Sequence, residues 1–286
     1  MHSFPFDYGR LARLSDRVGR VIAKNPGPYT FTGSGTYLVG DHRGVAVIDP
    51  GPDDAIHIGR VVDCAPGPIT HILITHTHLD HSGGTAKLKA LTGATVCAFG
   101  AHSSTVEEAP PALDEGADFC FAPDRMLSAG DTIEGPGWTI EAVHTPGHTD
   151  NHLCYALREE RALFTGDHIM GWSTTVVAPP DGNMDDYLAS LDLLLARADH
   201  RYYPTHGAPI DDPMPFVQAV AAHRQMRDAS ILAAAVGRSI PDIVKTVYAD
   251  TPAHLHMAAG LNVRAHLERH VRAGRVKVKN GLYTSS

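Results

Sequence analysis

Apolar and polar positions alternate in short runs up to about residue 215 and then settle into long helical periods. The first regime predicts β-rich structure, because side chains of a strand point to opposite faces in turn. Residues 29–39 and 44–48 read as two strands of a hairpin around Gly40-Asp41-His42-Arg43, closed by the tight turn Asp49-Pro50-Gly51. The spacing of Ile56, Val61 and Val62 predicts a helix over 55–64 that buries those three on one side. An apolar strand over 69–75 follows, then a Gly83-Gly84 step that lets the backbone pass close to its surroundings, and a helix over 85–91. Short strands are expected at 95–99, 126–127, 132–133 and 138–144, with the acidic, proline-containing stretch 107–117 as an exposed loop. A second hairpin spans 152–157 and 162–165, ahead of an apolar helix over 185–196 and a strand over 201–203.

The two hairpins echo each other. TYLVGDHRGVAVIDPG and HLCYALREERALFTGD are each strand, polar turn, strand and a closing Asp. Each is followed by a helix, a strand and a Thr-His step, Thr75-His76 in one case and Thr205-His206 in the other. That order reads as a duplicated β-rich unit, two mixed sheets packed face to face with helices outside, which gathers the strand-end loops along one edge. Past residue 215 the pattern gives helices over 216–236, 242–248 and 254–273 and a last hairpin around Asn280-Gly281. The expected domains are therefore 1–215 and a winged-helix-like 216–286. Such modules bind nucleic acid, form homodimers or dock partners, and shape alone does not choose among these.

Composition narrows the setting. At 286 residues with 43% hydrophobic content, the chain is long enough for one large and one small domain. Charges are scattered through the first 20 residues without an apolar block, which does not read as a signal peptide, and no stretch has the length and apolarity to cross a bilayer. Cys64, Cys97, Cys120 and Cys154 are widely spaced in apolar settings and read as buried reduced thiols, so the expected compartment is the cytoplasm. The net charge of −8 argues against a protein that coats nucleic acid over its whole surface. From His223 onward, however, ten basic residues face four acids, a surplus of six that leaves −14 for the rest. The asymmetry is a reason to consider a polyanionic partner for the tail.

The densest chemistry lies in ITHILITHTHLDHSGG, residues 69–84. Three imidazoles and a carboxylate fall within six residues, straight after an apolar strand. Imidazole nitrogen and carboxylate oxygen suit a borderline-soft divalent ion such as zinc. In extended chain His76 and His78 point the same way and can grip one ion, while Asp80 and His81, past the bend, suit a second. Other groups stand at strand ends: His148 at the tip of the turn Thr145-Pro146-Gly147-His148-Thr149, Asp167 closing the second hairpin, and His206 in Pro204-Thr205-His206-Gly207. Thr145 and Thr149 read equally as ligand-supporting and turn-stabilising hydroxyls. Met170 and Trp172 read equally as pocket wall and core. His102 is expected at the surface. His71, His144, His152 and His168 are expected to pack or to support ligands, and His254, His256, His266 and His270 to be solvated or capping. The run from Arg269 to Lys279 reads as a solvated face whose position also suits phosphate contact.

Together, His76, His78, Asp80, His81, His148, Asp167 and His206 match the ligand set of the metallo-β-lactamase superfamily. Through GSGTYLVG, HTPGHTDNH, FTGDHIMGWSTTV, DDYLASLDLLL, PTHG and TPAHLHMAAGLNVRAHLERHVRAG, the chain most resembles the β-lactamase-like protein 2 family. The resemblance covers nearly the whole chain. It implies an α/β fold, a four-layer αββα sandwich with a small C-terminal winged-helix domain. It implies metal-dependent hydrolysis, with the animal members acting as single-strand endoribonucleases. Two departures stand out: Asp49-Pro50-Gly51 in place of Asp-Thr-Gly, a scaffold variation, and Gly33-Ser34-Gly35-Thr36-Tyr37 in place of Gly-Thr-Asn-Thr-Tyr, in a loop that usually borders the site.

Residue by residue, the resemblance implies His76, His78 and His148 on one zinc and Asp80, His81 and His206 on the other, with Asp167 bridging. Two cations about 3.5–4 Å apart repel unless anions lie between them, so Asp167 and a hydroxide would share that place. Asp80 would orient the hydroxide and later take up a proton, which makes Asp80 and Asp167 the expected catalytic pair. Two zinc ions are the expected cofactors, with iron or manganese left open by the ligands. The bridging Asp167 sets the chain apart from true β-lactamases, so antibiotic hydrolysis is at most a side activity. Single-stranded RNA is the first substrate expectation. A small thioester, lactone or other ester is the second, and a non-catalytic nucleic-acid-binding protein with a relict metal site is the third.

Overall fold

The computed structural model describes residues 4–103 and 116–285, and the loop expected over 107–117 lies almost wholly outside them. The chain divides into two compact units. The first holds residues 1–145, 151–175 and 198–213, and the second holds 146–150, 176–197 and 214–286.

The first unit contains two sheets among its described residues. One orders β1 (Ala12–Arg13), β2 (Val18–Ile22), β3 (Gly35–Asp41), β4 (Gly44–Ile48), β5 (Ile69–Leu73), β6 (Thr95–Ala98) and β7 (Arg125–Met126). The helices α1 (Ala55–Cys64), α2 (Leu79–Ser82) and α3 (Thr85–Thr92) lie between its strands in sequence. The other sheet runs from β8 (Thr132–Gly135) through β9 (Trp138–His144), β10 (Leu153–Leu157), β11 (Ala162–Gly166) and β12 (Arg201–Pro204) to β13 (Ile210–Asp211).

The duplication read from the two hairpins is present in the topology. β3 and β4 pair antiparallel and β4 and β5 parallel, as β10 and β11 pair antiparallel and β11 and β12 parallel. Alternation along each strand sorts side chains between two cores. Tyr37, Val39, Ala46, Ile48, Leu73 and Cys97 meet Ile140, Leu153, Tyr155 and Phe164 between the sheets. Leu38, Val45, Val47, Ile72, Ile74 and Val96 face the other way, into a core with Ile58 and Val61 of α1 and Leu88 of α3. That period of two makes one sheet face a sandwich core and the other a seat for helices.

Two local expectations change. The first hairpin starts at Gly35, since residues 29–34 form a self-bonded loop in which Phe31 takes a left-handed φ of 57°. On α1, Ile56 is 78% and Val62 36% exposed, and the buried residues are His57, Ile58 and Val61. Val61 lies inward as expected, but it shares the buried stripe with His57 and Ile58 rather than with Ile56 and Val62. Ile58 and Val61, three apart, share the stripe that β4 and β5 cover, whereas Ile56 lies on the far side.

The second unit comprises α4 (Met184–Leu195), α5 (Pro213–Ala235, whose first residue belongs to the first unit), α6 (Ile240–Val247), α7 (His256–Arg272) and the hairpin β14 (Val276–Lys279) and β15 (Leu282–Ser285). Ile231, Ala235, Ile243, Val244, Val263, Leu267, Val276 and Tyr283 form its core. Asn280 and Gly281 both have positive φ, the two-residue turn that Asn-Gly favours. His266 and His270 are fully buried here, contrary to the solvated reading. They flank Asp228 of α5, at 2.8 Å for His266 Nδ1 and 3.2 Å for His270 Nε2. All four cysteines are free thiols, but Cys120 is exposed and Cys64 half-buried, so only Cys97 and Cys154 are the buried ones expected. No helix among the described residues is long and apolar enough to cross a membrane.

Candidate metal centre

The segments that carry the candidate ligands follow directly from strand ends. β5 stops at Leu73, and the chain continues through His76 to His78, which takes extended dihedrals as the N-cap of α2. Asp80 and His81 therefore sit in the first turn of that helix, and both are buried. Asp167 follows β11 and His206 follows β12, the parallel neighbours in the second sheet. Gly166 makes the first of these turns feasible: at φ 48°, a Cβ there would lie 2.6 Å from His152 Nε2 and 2.8 Å from Thr75 Oγ1. Only glycine lets the Asp167 turn press against Thr75.

The side chains converge. His81 Nε2 lies 3.4 Å from Asp80 Oδ2 and 3.5 Å from Asp167 Oδ1. His206 Nε2 lies 3.1 Å from Asp80 Oδ2 and 3.3 Å from Asp167 Oδ1. His76 Nε2 and His78 Nδ1 are 3.0 Å apart. Two three-donor groups result within this unit, Asp80 with His81 and His206, and Asp167 with His76 and His81. A tetrahedron with its centre about 2.0–2.1 Å from nitrogen and oxygen vertices has edges of about 3.3 Å, which is the spacing found here. Electrostatics agree. Burial opposes charge on His81, yet Asp80, Asp167 and Asp49 hold its pKa well above the ordinary histidine value, and His206 is raised likewise by Asp167 and Asp80. Burial would also raise Asp80, but His81 and His206 hold it below the usual carboxylate range. Carboxylates that draw protons onto buried imidazoles form a centre suited to a divalent cation.

Supporting residues around these side chains complete the arrangement. Asp49, at φ 49°, accepts hydrogen bonds from Thr75 N and Oγ1, both 2.8 Å, from Thr205 Oγ1 at 3.0 Å and from His81 Nδ1 at 2.8 Å. The carboxylate only accepts, so His81 carries a proton on Nδ1, which leaves Nε2 as the nitrogen that would face a cation in place of its proton. The Asp49 turn, expected as mere scaffold, thus ties both Thr-His steps together. Ser34 Oγ donates to Asp80 Oδ2 at 3.0 Å and receives Asn25 Nδ2 at 3.0 Å. His152 accepts from Asp167 N at 3.3 Å through Nε2, leaving Nδ1 to donate to Thr145 Oγ1 at 2.9 Å. This makes both His152 and Thr145 supports of the Asp167 turn. Near His76 and His78, Thr77 Oγ1 lies 2.8 Å from the half-buried His102 Nδ1 and receives Asn151 Nδ2 at 2.9 Å. His102 is thus partnered rather than simply at the surface.

His148 belongs to the second unit. Its Nδ1 donates to Val176 O at 2.7 Å, which leaves Nε2 as the lone-pair nitrogen. Gly147 O receives Asn183 N at 2.9 Å, tying the turn to the N-cap of α4. Of the residues missed at first, Asp49 had a signal, a carboxylate on a tight turn after a buried strand. Ser34 had none beyond its departure from the family pattern.

Comparisons with known proteins bear on this geometry. A family model described as metallo-beta-lactamase superfamily matches residues 29–206, and one described as beta-lactamase associated winged helix domain matches 239–282. A beta-lactamase-like protein 2 homolog of Drosophila melanogaster is 32% identical, over 94% of this chain and 92% of its own. An atrochrysone carboxyl ACP thioesterase of Cryptosporiopsis sp. is 30% identical over 78% of this chain and 64% of its own. A metallo-beta-lactamase family protein of Thermus thermophilus shares the fold, with a TM-score of 0.78 at 21% identity over 96% of this chain and 100% of that one.

Proposed function

Since the chain belongs to the metallo-β-lactamase superfamily and carries that superfamily's winged helix, we propose that it works with a dinuclear metal centre on acyl esters and thioesters. Membership makes it a metal-dependent hydrolase; the nuclearity, the residue roles and the substrate are our reading. In that reading His76, His78 and His148 would hold one zinc and Asp80, His81 and His206 the other, with Asp167 available to both. One observation carries it: Asp167 groups with His76 and His81, while its Oδ1 also lies 3.3 Å from His206. It therefore lies between donors assigned to different ions. Divalent cations held there supply Lewis acidity, which makes water nucleophilic at neutral pH and polarises the scissile bond.

The chain's own residues do the positioning. Asp49 sets the tautomer of His81, and His152 anchors the backbone of Asp167. Ser34 holds one oxygen of Asp80. Kept anionic by its histidine neighbours, Asp80 is better suited to orient the attacking water than to store its proton.

Acyl substrates are favoured over RNA because much of the tail's basic charge is already matched inside its own unit. Arg272 pairs with Asp185 at 2.7 Å, Arg269 with Asp185 and Asp228 at 2.7 and 2.9 Å, and Arg264 with Glu268 at 2.7 Å. A paired guanidinium contributes little to phosphate binding. The thioesterase named among the relatives fits the same choice. Single-stranded RNA is the second reading, supported by the exposed Arg275, Lys277 and Lys279 of the last hairpin. The test measures metal content and turnover together, on an ester and thioester panel beside single-stranded RNA, with a chelator control. The expected result is two metal equivalents and chelator-sensitive thioester cleavage, with Asp167→Ala losing at least one equivalent and ~10³-fold in kcat. Full turnover with two metals in that variant would end the bridging assignment, and chelator-sensitive RNA cleavage without acyl cleavage would reverse the substrate order.

A further inference from the structure

Phe31 and Trp172 come from distant parts of the chain, yet their rings stack with centroids 4.8 Å apart and planes within 10°. Both residues are half-buried, so the stack is partly open to solvent. Each ring is anchored to the metal centre through a short piece of backbone. Phe31 lies three residues before Ser34, whose hydroxyl holds Asp80. Trp172 follows Gly171, whose N–H donates to His206 O at 2.8 Å and which pairs as a bridge with Gly207. Three residues of chain reach about 11 Å at most, so both rings lie within a small substrate's length of the ligands.

Two local costs accompany this stack. Phe31 takes a left-handed backbone conformation that bulky residues avoid. The indole Nε1 of Trp172 is buried with no hydrogen-bond partner among the described residues, although an indole N–H normally finds one. Costs of this kind concentrate where a side chain is held for function. The loop is rigid besides: Thr30 Oγ1 donates to Asn25 O, Ser34 N donates to Asn25 Oδ1, and Phe31 N donates to Gly27 O.

We infer that Phe31 and Trp172 form a subsite for a planar aromatic group on the acyl side of the substrate. This deepens the acyl-hydrolase reading and rests on it for the reaction, but not for binding. A flat, preformed π-surface gains most from another flat ring and little from a methyl group. The same loop that aims Ser34 at Asp80 would thus couple recognition to the metal centre.

The test uses the metal-loaded, full-length protein and two thioesters of one thiol, phenylacetyl and acetyl N-acetylcysteamine. Trp172→Ala is expected to lower kcat/KM roughly tenfold more for the phenylacetyl than for the acetyl thioester. Trp172→Phe, which keeps an aromatic face, is expected to retain the preference. Binding is read separately, by saturation-transfer NMR of phenylacetamide against acetamide, where the aromatic signal in wild type is expected to fall at least fivefold in Trp172→Ala. Melting curves confirm that the variants are folded. Equal losses for both thioesters would overturn the inference, leaving the pair as a pin between two loops, and so would an absent NMR signal in wild type. A wild-type NMR signal lost in Trp172→Ala, without hydrolysis of either thioester, would uphold the subsite and remove the acyl-hydrolase reading instead.

Discussion

At the scale of single residues, the centre depends on side chains outside the proposed ligand set. Asn25 Nδ2 donates to Ser34 Oγ, and Ser34's one proton then goes to Asp80. Replacing Ser34 by Ala leaves a buried carboxylate oxygen short of one donor, and a lost charge-assisted hydrogen bond costs about 1.5–3 kcal/mol. Ser34→Ala is therefore expected to weaken metal affinity by ten- to a hundredfold, measured by competition with a chromophoric chelator, and Ser34→Thr to restore most of it. Unchanged affinity in Ser34→Ala would show that Asp80 is aligned without its neighbour. The hydroxyl at Ser34, in the loop that departs from the expected pattern, thus meets a proposed ligand.

Secondary-structure elements show how far periodicity carries and where it stops. It places α1 at residues 55–64, but not the side of α1 that the sheet covers. Ile58 is 1% exposed and packed with Val61 and Ile72, whereas Ile56 is open. Ile58→Ala is expected to destabilise the fold by about 2–5 kcal/mol and Ile56→Lys by less than about 0.5, read from urea midpoints. Comparable losses at both positions would mean that Ile56 is covered in solution. A similar lesson comes from α7. Its last basic residues read as a solvated face whose position also suits phosphate contact, but Asp185 at the start of α4 pairs with Arg269 and Arg272, and Asp228 in the middle of α5 pairs with Arg269. Buried beside them, His266 and His270 flank Asp228, and that burial holds both pKa values below the ordinary histidine range despite the carboxylate.

For the molecule as a whole, acid stability should report on a histidine outside the centre. His57 lies on the buried side of α1, with Nε2 2.8 Å from Thr36 Oγ1. Burial pushes its pKa down to about 4, against the opposing charge of Asp54. The folded value lies below the unfolded one, near 6.5, so above pH 6.5 neither state is protonated and the group contributes nothing. As pH falls from 6.5 toward 4, the unfolded chain takes up a proton that the folded chain refuses, and stability is lost. Between pH 7 and 4.5 the loss from this group is expected to be about 2–3 kcal/mol. Denaturation at both pH values should show His57→Gln with a smaller acid loss than wild type by that amount. An identical acid loss in the variant would place the sensitivity elsewhere.

Much of this was determined by the chain alone. The repeated hairpin, the His-rich strand end and the acidic and histidine residues closing later strands are local patterns. Strand ends project side chains into loops whatever the partners are, so the candidate ligands, the two-sheet fold and the C-terminal helices were legible without coordinates. What tertiary structure decided are pairings between residues far apart in sequence. These are Asp49 with His81 and Thr205, Ser34 with Asp80, Phe31 with Trp172, and Asp185 with Arg272. No local period encodes such contacts. They arise only when packing brings separate segments together, and there the fold settles which charges are spent on one another and which hydroxyls steady the proposed metal ligands.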